Sequence, residues 1–202
     1  MNRCVIVGAG DLSPADFPEK REGDLWIAAD GGQKYLEGAG IRADLFLGDL
    51  DSLEQAPEGI DATLLPRRKD DTDSVAAAKE GLRRGYRRFL ILGGLGGKRL
   101  SHTAANFQLL AFLKDQGAEG ELLCGTTSVT LLSPGEERRW QGRTGFFSLF
   151  AATPNAKVTL RGAKFPGEGL SLSSRFPLGV SNEFGENTFL SVEEGEVFLV
   201  ID

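Results

Sequence analysis

Short apolar runs recur along the first two-thirds of the chain, and a polar or glycine-rich cluster follows most of them directly. Residues 3–7, 25–28, 45–47, 63–65, 89–92 and 121–124 are predicted strands. Between them lie helical patterns. Residues 72–84 put Val75, Ala78 and Leu82 on one face, with Gly85 placed to end the helix. Residues 101–115 are apolar on more than one side (Ala104, Phe107, Leu110, Ala111, Leu113), which predicts burial between two neighbours, and Gly117 stops that helix. Alternating strands and helices predict an α/β domain with a mostly parallel sheet over residues 1–124. Beyond residue 125 the runs shorten (127–132, 138–141, 146–150, 158–161, 188–192, 196–201), and Gly, Pro, Asn or Ser separate them. That pattern predicts a C-terminal all-β sandwich domain over residues 125–202.

In open α/β sheets, ligands gather outside the carboxyl ends of the strands, so the post-strand clusters are predicted to share one edge. After residues 45–47 comes Gly48-Asp49-Leu50-Asp51-Ser52. Side chains two apart on an extended segment point the same way, and two such carboxylates repel unless a cation or a shared proton neutralises them. A hard ion such as Mg²⁺ is one reading, a solvated turn the other. Asp70, Asp71 and Asp73 stand with Thr72 at a helix start, where one capping group suffices. Thr72 or Asp71 serves as the cap, which leaves Asp70 or Asp73 for an ion.

Gly93-Gly94-Leu95-Gly96-Gly97, followed by Lys98 and Arg99, allows backbone N–H groups to converge on an anion at a helix N-terminus. Its spacing is not that of a Walker A loop. Gly8-Ala9-Gly10 supplies only the first half of a dinucleotide fingerprint, and Pro14 interrupts the helix that motif would open. His102 stands near a helix start, either as a cap or packing residue or as a phosphate contact.

Composition narrows the classes. The chain of 202 residues carries a formal net charge of −6 without a concentrated basic face, which argues against a nucleic-acid partner. Two cysteines and one histidine exclude a disulfide scaffold and a histidine-based zinc site. No apolar stretch has the length of a signal peptide or membrane span, so the expected location is the cytoplasm, with no membrane association.

Taken together, the segments Ala29-Asp30-Gly31-Gly32, Leu47-Gly48-Asp49-Leu50-Asp51-Ser52, Lys69-Asp70-Asp71-Thr72-Asp73 and residues 93–106 resemble the thiamine pyrophosphokinase family. Leu160-Arg161-Gly162-Ala163-Lys164-Phe165-Pro166 and Val180-Ser181-Asn182-Glu183 look like its substrate-side segments, more weakly. The family usually reads Arg-x-Asp-His in the fourth segment; here the residues are Arg99-Leu100-Ser101-His102.

The resemblance implies transfer of the diphosphoryl group of ATP to the thiamine hydroxyl, giving thiamine diphosphate and AMP with Mg²⁺. It further implies that Asp49, Asp51 and Asp73 hold the metal and that Arg99 and His102 hold phosphoryl oxygens. Asp30, Gly31, Gly32, Ser52, Asp70, Thr72, Gly96, Gly97, Lys98 and Asn106 would contact the nucleotide. Phe165, Ser181 and Asn182 are the implied thiamine contacts, with a place in the sandwich core as the alternative for Phe165. A homodimer, with each site shared between one subunit's α/β domain and the partner's β domain, is implied as well. Two other readings stay open: a related diphosphokinase acting on a pterin-type hydroxymethyl heterocycle, and a non-catalytic nucleotide-binding protein of the same fold.

Overall fold

Buried parallel strands need apolar residues on both faces, and the first unit of the chain is built from such strands. The computed structural model describes residues 2–48, 60–64, 71–97 and 99–202. The chain divides into two units, Met1–Gly125 and Thr126–Asp202.

The first unit holds strands β1 (Cys4–Val7), β2 (Leu25–Ala29), β3 (Leu45–Gly48), β4 (Asp61–Leu64), β5 (Arg88–Leu92) and β6 (Glu119–Cys124). They lie in the order β6-β5-β1-β2-β3-β4, and every pairing is parallel. Strands β1, β2 and β3 are buried throughout, and Trp26, Phe46 and Leu36 anchor the core beside them. A short 3-10 turn (Pro14–Asp16) and three helices complete the unit: α1 (Gly32–Gly38), α2 (Asp73–Arg83) and α3 (Leu100–Asp115).

Two helices depart from the sequence expectation. On α2 the buried residues are Ala77, Ala78 and Gly81, while Val75 and Leu82 are only half-buried. Small residues bring the helix close to the sheet: a side chain at Gly81 would run into the Phe89 ring and the Cys4 sulfur. On α3 burial follows the single stripe Asn106, Leu109, Leu110 and Leu113, and Ala104 is exposed, so the helix is not enclosed on two sides. Helix α3 also begins one residue early, with Arg99 at the N-cap position and no side-chain cap bond, which places Ser101 inside the first turn.

The second unit is a sandwich of antiparallel strands: β7 (Thr127–Leu132), β8 (Glu137–Gln141), β9 (Phe146–Ala151), β10 (Asn155–Ala163), β11 (Gly167–Ser173), β12 (Gly179–Glu194) and β13 (Val197–Ile201). The 16-residue β12 serves two sheets. Its first part pairs with β9, which continues through β13 to β7; its later part lies between β10 and β8, and β10 pairs with β11. Phe147, Leu149, Val158, Leu160, Leu190, Val192 and Leu199 meet between the layers. Among the described residues, no helix is long and apolar enough to cross a membrane.

Candidate active-site cleft

The carboxyl ends of β1 and β2 open into a cleft of about 60 Å³, lined by Gly8, Ala9, Ala29, Asp30, Thr72, Asp73, Ser74, His102 and Asn106. Each wall has a local cause. Asp30 takes the left-handed conformation (φ 48°), which a non-glycine residue adopts at a cost on the order of 1 kcal/mol. Its N–H donates to the Leu47 carbonyl at 2.8 Å and its carbonyl accepts the Gln33 N–H at 3.2 Å, so β3 and α1 hold the turn. Gly31 is the N-cap of α1 and Gly32 its first residue. A Cβ at Gly32 would overlap the Val7 carbonyl, so only glycine lets α1 start this close to β1.

Helix α2 presents its N-terminus to the cleft. Thr72 is the cap: its hydroxyl accepts the Val75 N–H at 3.3 Å. Asp71 does not cap; its carboxylate accepts from the Lys79 ammonium at 2.7 and 2.8 Å. Asp73 and Ser74 fall in the first turn and face the cleft beside Asp30. Two carboxylates and two hydroxyls thus surround the positive end of a helix, a place suited to anions and to the hard cations that accompany them.

The opposite wall is α3. His102 and Asn106 stand one turn apart on the same face. Asn106 is 7 % exposed, and its Nδ2 donates to the Gly94 carbonyl at 2.8 Å. That bond belongs to a set that fixes the glycine-rich loop. Gly10 N–H donates to the Gly93 carbonyl (2.9 Å), the Thr103 hydroxyl to the Gly96 carbonyl (3.2 Å), and Gly97 N–H to the Asp11 carboxylate (2.8 Å). A Cβ at Gly10 would come within 2.5 Å of the Gly93 carbonyl oxygen, so the loops after β1 and β5 meet backbone to backbone.

Of the residues singled out in the sequence, Asp30, Thr72, Asp73, His102 and Asn106 come together around the cleft. Gly31, Gly32, Gly96, Gly97 and Arg99 belong to the adjoining turns and do not line it. Asp49, Asp51, Ser52, Asp70 and Lys98 lie outside the described residues. Sequence reasoning missed Gly8, Ala9, Ala29 and Ser74 as lining groups and Asp11 as the partner of Gly97. For the first two the available signal was a glycine pair directly after an apolar strand.

Phe165, Ser181 and Asn182 belong to the second unit. Phe165 is 61 % exposed, in the turn between β10 and β11, and so is not a core residue of the sandwich. Ser181 is left-handed (φ 57°), and its N–H donates to the Ser148 hydroxyl at 3.0 Å.

The second unit also contributes to the likeness with known folds, which spans both units. Thiamine pyrophosphokinase from Bacillus subtilis superposes with a TM-score of 0.85 at 22% identity, covering 100% of this chain and 99% of that one. Thiamin pyrophosphokinase from Geobacillus thermodenitrificans gives 0.83 at 26% identity, covering 100% and 97%. The yeast thiamin pyrophosphokinase gives 0.80 at 15% identity, covering 99% and 86%. No curated protein matches the chain by sequence. The family pattern described as "Thiamin pyrophosphokinase, catalytic domain" matches residues 19–120, which is 102 of 202 residues and contains Asp30, Asp73, His102 and Asn106. The chain belongs to the thiamin pyrophosphokinase family.

Proposed function

We propose that this protein is a thiamine pyrophosphokinase that moves the diphosphoryl group of ATP onto the thiamine hydroxyl. The observation that carries the reading is the cleft itself. Two carboxylates, a histidine, a buried amide and the N-terminus of α2 meet there, inside the stretch that matches the catalytic-domain pattern.

In the reaction, the thiamine hydroxyl oxygen bonds to the β-phosphorus and releases its proton to solvent, while the bond from that phosphorus to the α,β-bridging oxygen breaks and AMP leaves with the electron pair on that oxygen. Such a transfer asks the protein for in-line positioning and for neutralisation of charge, with little covalent work. The chain's residues divide those tasks. The helix end at Thr72–Ser74 and the backbone of the glycine-rich loop favour phosphoryl oxygens. Arg99 and Lys98 supply full positive charge, and His102 donates a hydrogen bond to a phosphoryl oxygen. Gly31, Gly32, Ser52, Asp70, Thr72, Gly96, Gly97 and Asn106 complete the nucleotide contacts.

The donor chemistry suits Mg²⁺, because the groups at the cleft are hard oxygens. Among the described residues no three His, Cys, Asp or Glu side chains converge; by the family resemblance, Asp73 would hold the ion together with Asp49 and Asp51. The bound ion supplies charge neutralisation on the transferring group. Phe165, with Ser181 and Asn182 beside it, offers an aromatic face to the cationic thiazolium. The protein acts as a cytoplasmic homodimer; exposed Phe146, Phe150, Phe176, Leu178 and Val180 on the second unit support that contact.

The test is incubation with ATP, Mg²⁺ and thiamine, with chromatography for AMP and thiamine diphosphate. Equimolar formation of both is expected. AMP formation that ignores thiamine but follows a hydroxymethyl pterin would overturn the choice of acceptor.

A further inference from the structure

The walls of the cleft carry several polar side chains, and the protein already engages some of them. The Thr72 hydroxyl caps α2 by accepting the Val75 N–H at 3.3 Å. The Asn106 Nδ2 donates to the Gly94 carbonyl at 2.8 Å. Ionised, Asp30 and Asp73 only accept hydrogen bonds, and they repel a phosphate unless a cation stands between. Ser74 differs from all of these. It lines the cleft, it is half-buried, and among the described residues none bonds to its hydroxyl.

Its place in the helix explains this. Thr72 is the N-cap, so Asp73, Ser74 and Val75 are the first three residues of α2, and their N–H groups have no intrahelical carbonyl to bond. The first such bond runs from the Ala76 N–H to the Thr72 carbonyl at 2.9 Å. Val75 is served by the Thr72 hydroxyl, whereas the Ser74 N–H finds no partner among the described residues. A serine deeper in a helix can return its hydroxyl to a carbonyl of the preceding turn, but the second position has no such turn behind it. Ser74 therefore brings two neutral donors, an N–H and a freely rotating O–H, to the positive end of an 11-residue helix and to the wall of a cavity.

We infer that Ser74 is a direct contact of the nucleotide, its hydroxyl and N–H donating to a phosphoryl oxygen of ATP. The inference rests on the reading of the cleft as the ATP site and adds a residue to that site. It divides the helix end between two tasks: Thr72 completes the helix, and Ser74 meets the anion.

The experiment is calorimetric titration of the full chain with ATP and with adenosine, in excess Mg²⁺ and without thiamine, so that binding is read without turnover. Ser74→Ala is expected to weaken ATP about tenfold, because a hydrogen bond to a charged oxygen is lost, and to change adenosine, which carries no phosphate, by less than about twofold. Tm should stay within about 2 °C of wild type, since the hydroxyl holds nothing in α2. Ser74→Thr, which keeps the hydroxyl, should bind ATP within about threefold of wild type. In steady state, Ser74→Ala should raise KM for ATP by a similar factor and leave both KM for thiamine and the Mg²⁺ concentration for half-maximal rate within about twofold.

Unchanged ATP affinity in Ser74→Ala would overturn the inference, as would equal weakening of ATP and adenosine. A large rise in the Mg²⁺ requirement would make the hydroxyl a ligand of the ion and overturn it too. A wild type without measurable ATP binding would refute both the inference and the reading of the cleft. ATP binding that depends on Ser74 as described, in a protein that makes no thiamine diphosphate, would refute the transferase reading alone and leave the Ser74 contact in place.

Discussion

Helix α1 carries a glycine at each end, and the same substitution at the two positions is expected to act in opposite directions. Gly32 and Gly38 are the first and last residues of the helix, and neither has a positive φ. On backbone grounds alone, alanine at either position favours the folded state by up to about 1 kcal/mol, because it lowers the entropy of the unfolded chain and suits a helix. At Gly38 nothing lies within 4 Å of the added Cβ, so that gain survives. At Gly32 the Cβ would overlap the Val7 carbonyl, with the Gly8 nitrogen 3.2 Å away. Both are backbone atoms of β1 and its following loop, so no rotamer change relieves the clash. Overpacking of this kind costs about 1–3 kcal/mol, and a clash with fixed backbone belongs at the upper end. The net expectation for Gly32→Ala is a loss of about 1–2 kcal/mol. With about 2–4 °C of Tm per kcal/mol at this size, Tm falls by about 2–8 °C. Gly38→Ala leaves Tm unchanged or raises it by up to about 4 °C. Because Asp30 and the β1 loop flank the clash, Gly32→Ala should also weaken ATP binding, which Gly38→Ala should not. Thermal melts and an ATP titration of the two variants decide the matter. Equal shifts of Tm in the same direction would refute the packing described for the start of α1.

The remaining expectations concern charge. If Asp49 and Asp51 are metal ligands as proposed, Asp49→Asn or Asp51→Asn should remove most turnover with little change in Tm, since losing a ligand would forfeit several kcal/mol of transition-state stabilisation; near-native AMP release at limiting Mg²⁺ would exclude them as ligands. Glu80 receives hydrogen bonds from Arg83 at 2.7 Å on each oxygen and from Arg84 at 2.6 Å, and the Arg83 bonds above all pull its pKa from 4.5 to about 2. The folded-state pKa is depressed, so the stabilisation is complete above about pH 4.5 and disappears as pH falls towards 2. Glu80→Gln should therefore lower stability at pH 7 by no more than about 1 kcal/mol, because the arginines are largely exposed, and urea melts should show the gap closing by about pH 2. A gap that persists at pH 2 would point to packing in place of charge.

Strands β1, β2, β3 and β5 were legible because buried parallel strands read as unbroken apolar runs; the exposed β4 and the half-buried β6 carried shorter apolar signals, and each of the six was found within two residues of its observed bounds. Helix α1 was not. Its seven residues begin and end in glycine, and they form a helix because Gly32 can approach Val7, a long-range fact. Strand β11 (Gly167–Ser173) was missed because two glycines and alternating polar residues hide it, and only its ladder with β10 makes it a strand. Only residues 188–192 of β12 carried an apolar signal. The polar stretch before them pairs with a different sheet, where one side stays in solvent. The cleft residues Asp30, Thr72, Asp73 and His102 were legible because each follows an apolar strand or opens a helix, whereas Asn106, in the interior of α3, was reached only through the family resemblance. Asp11 was not, since the Gly97 N–H that gives it a role lies 86 residues away.

Ser101 is where this chain leaves the family's usual Arg-x-Asp-His, and the start of α3 changes how that departure reads. As an N-cap, serine would replace aspartate almost without loss. The helix, however, begins at Leu100 with Arg99 as N-cap, so residue 101 is the second residue inside the first turn. That turn holds no acidic side chain. A carboxylate there would interact with the positive end of the helix and contribute about 0.3–1 kcal/mol at an exposed position, less at high salt. Ser101→Asp should therefore raise Tm by about 1–3 °C at low ionic strength. If Asp49, Asp51 and Asp73 hold the metal as proposed, it should alter the rate of AMP formation by less than about tenfold, or about 1.4 kcal/mol in barrier. The measurements are thermal melts at two salt concentrations and steady-state AMP production at saturating ATP. A native protein without turnover that gains strong thiamine-dependent activity on Ser101→Asp would show that the aspartate is part of the chemistry, and that this chain binds nucleotide without using it. A rise in Tm that vanishes at high salt, with activity little changed, would place Ser101 in the helix and not in the reaction.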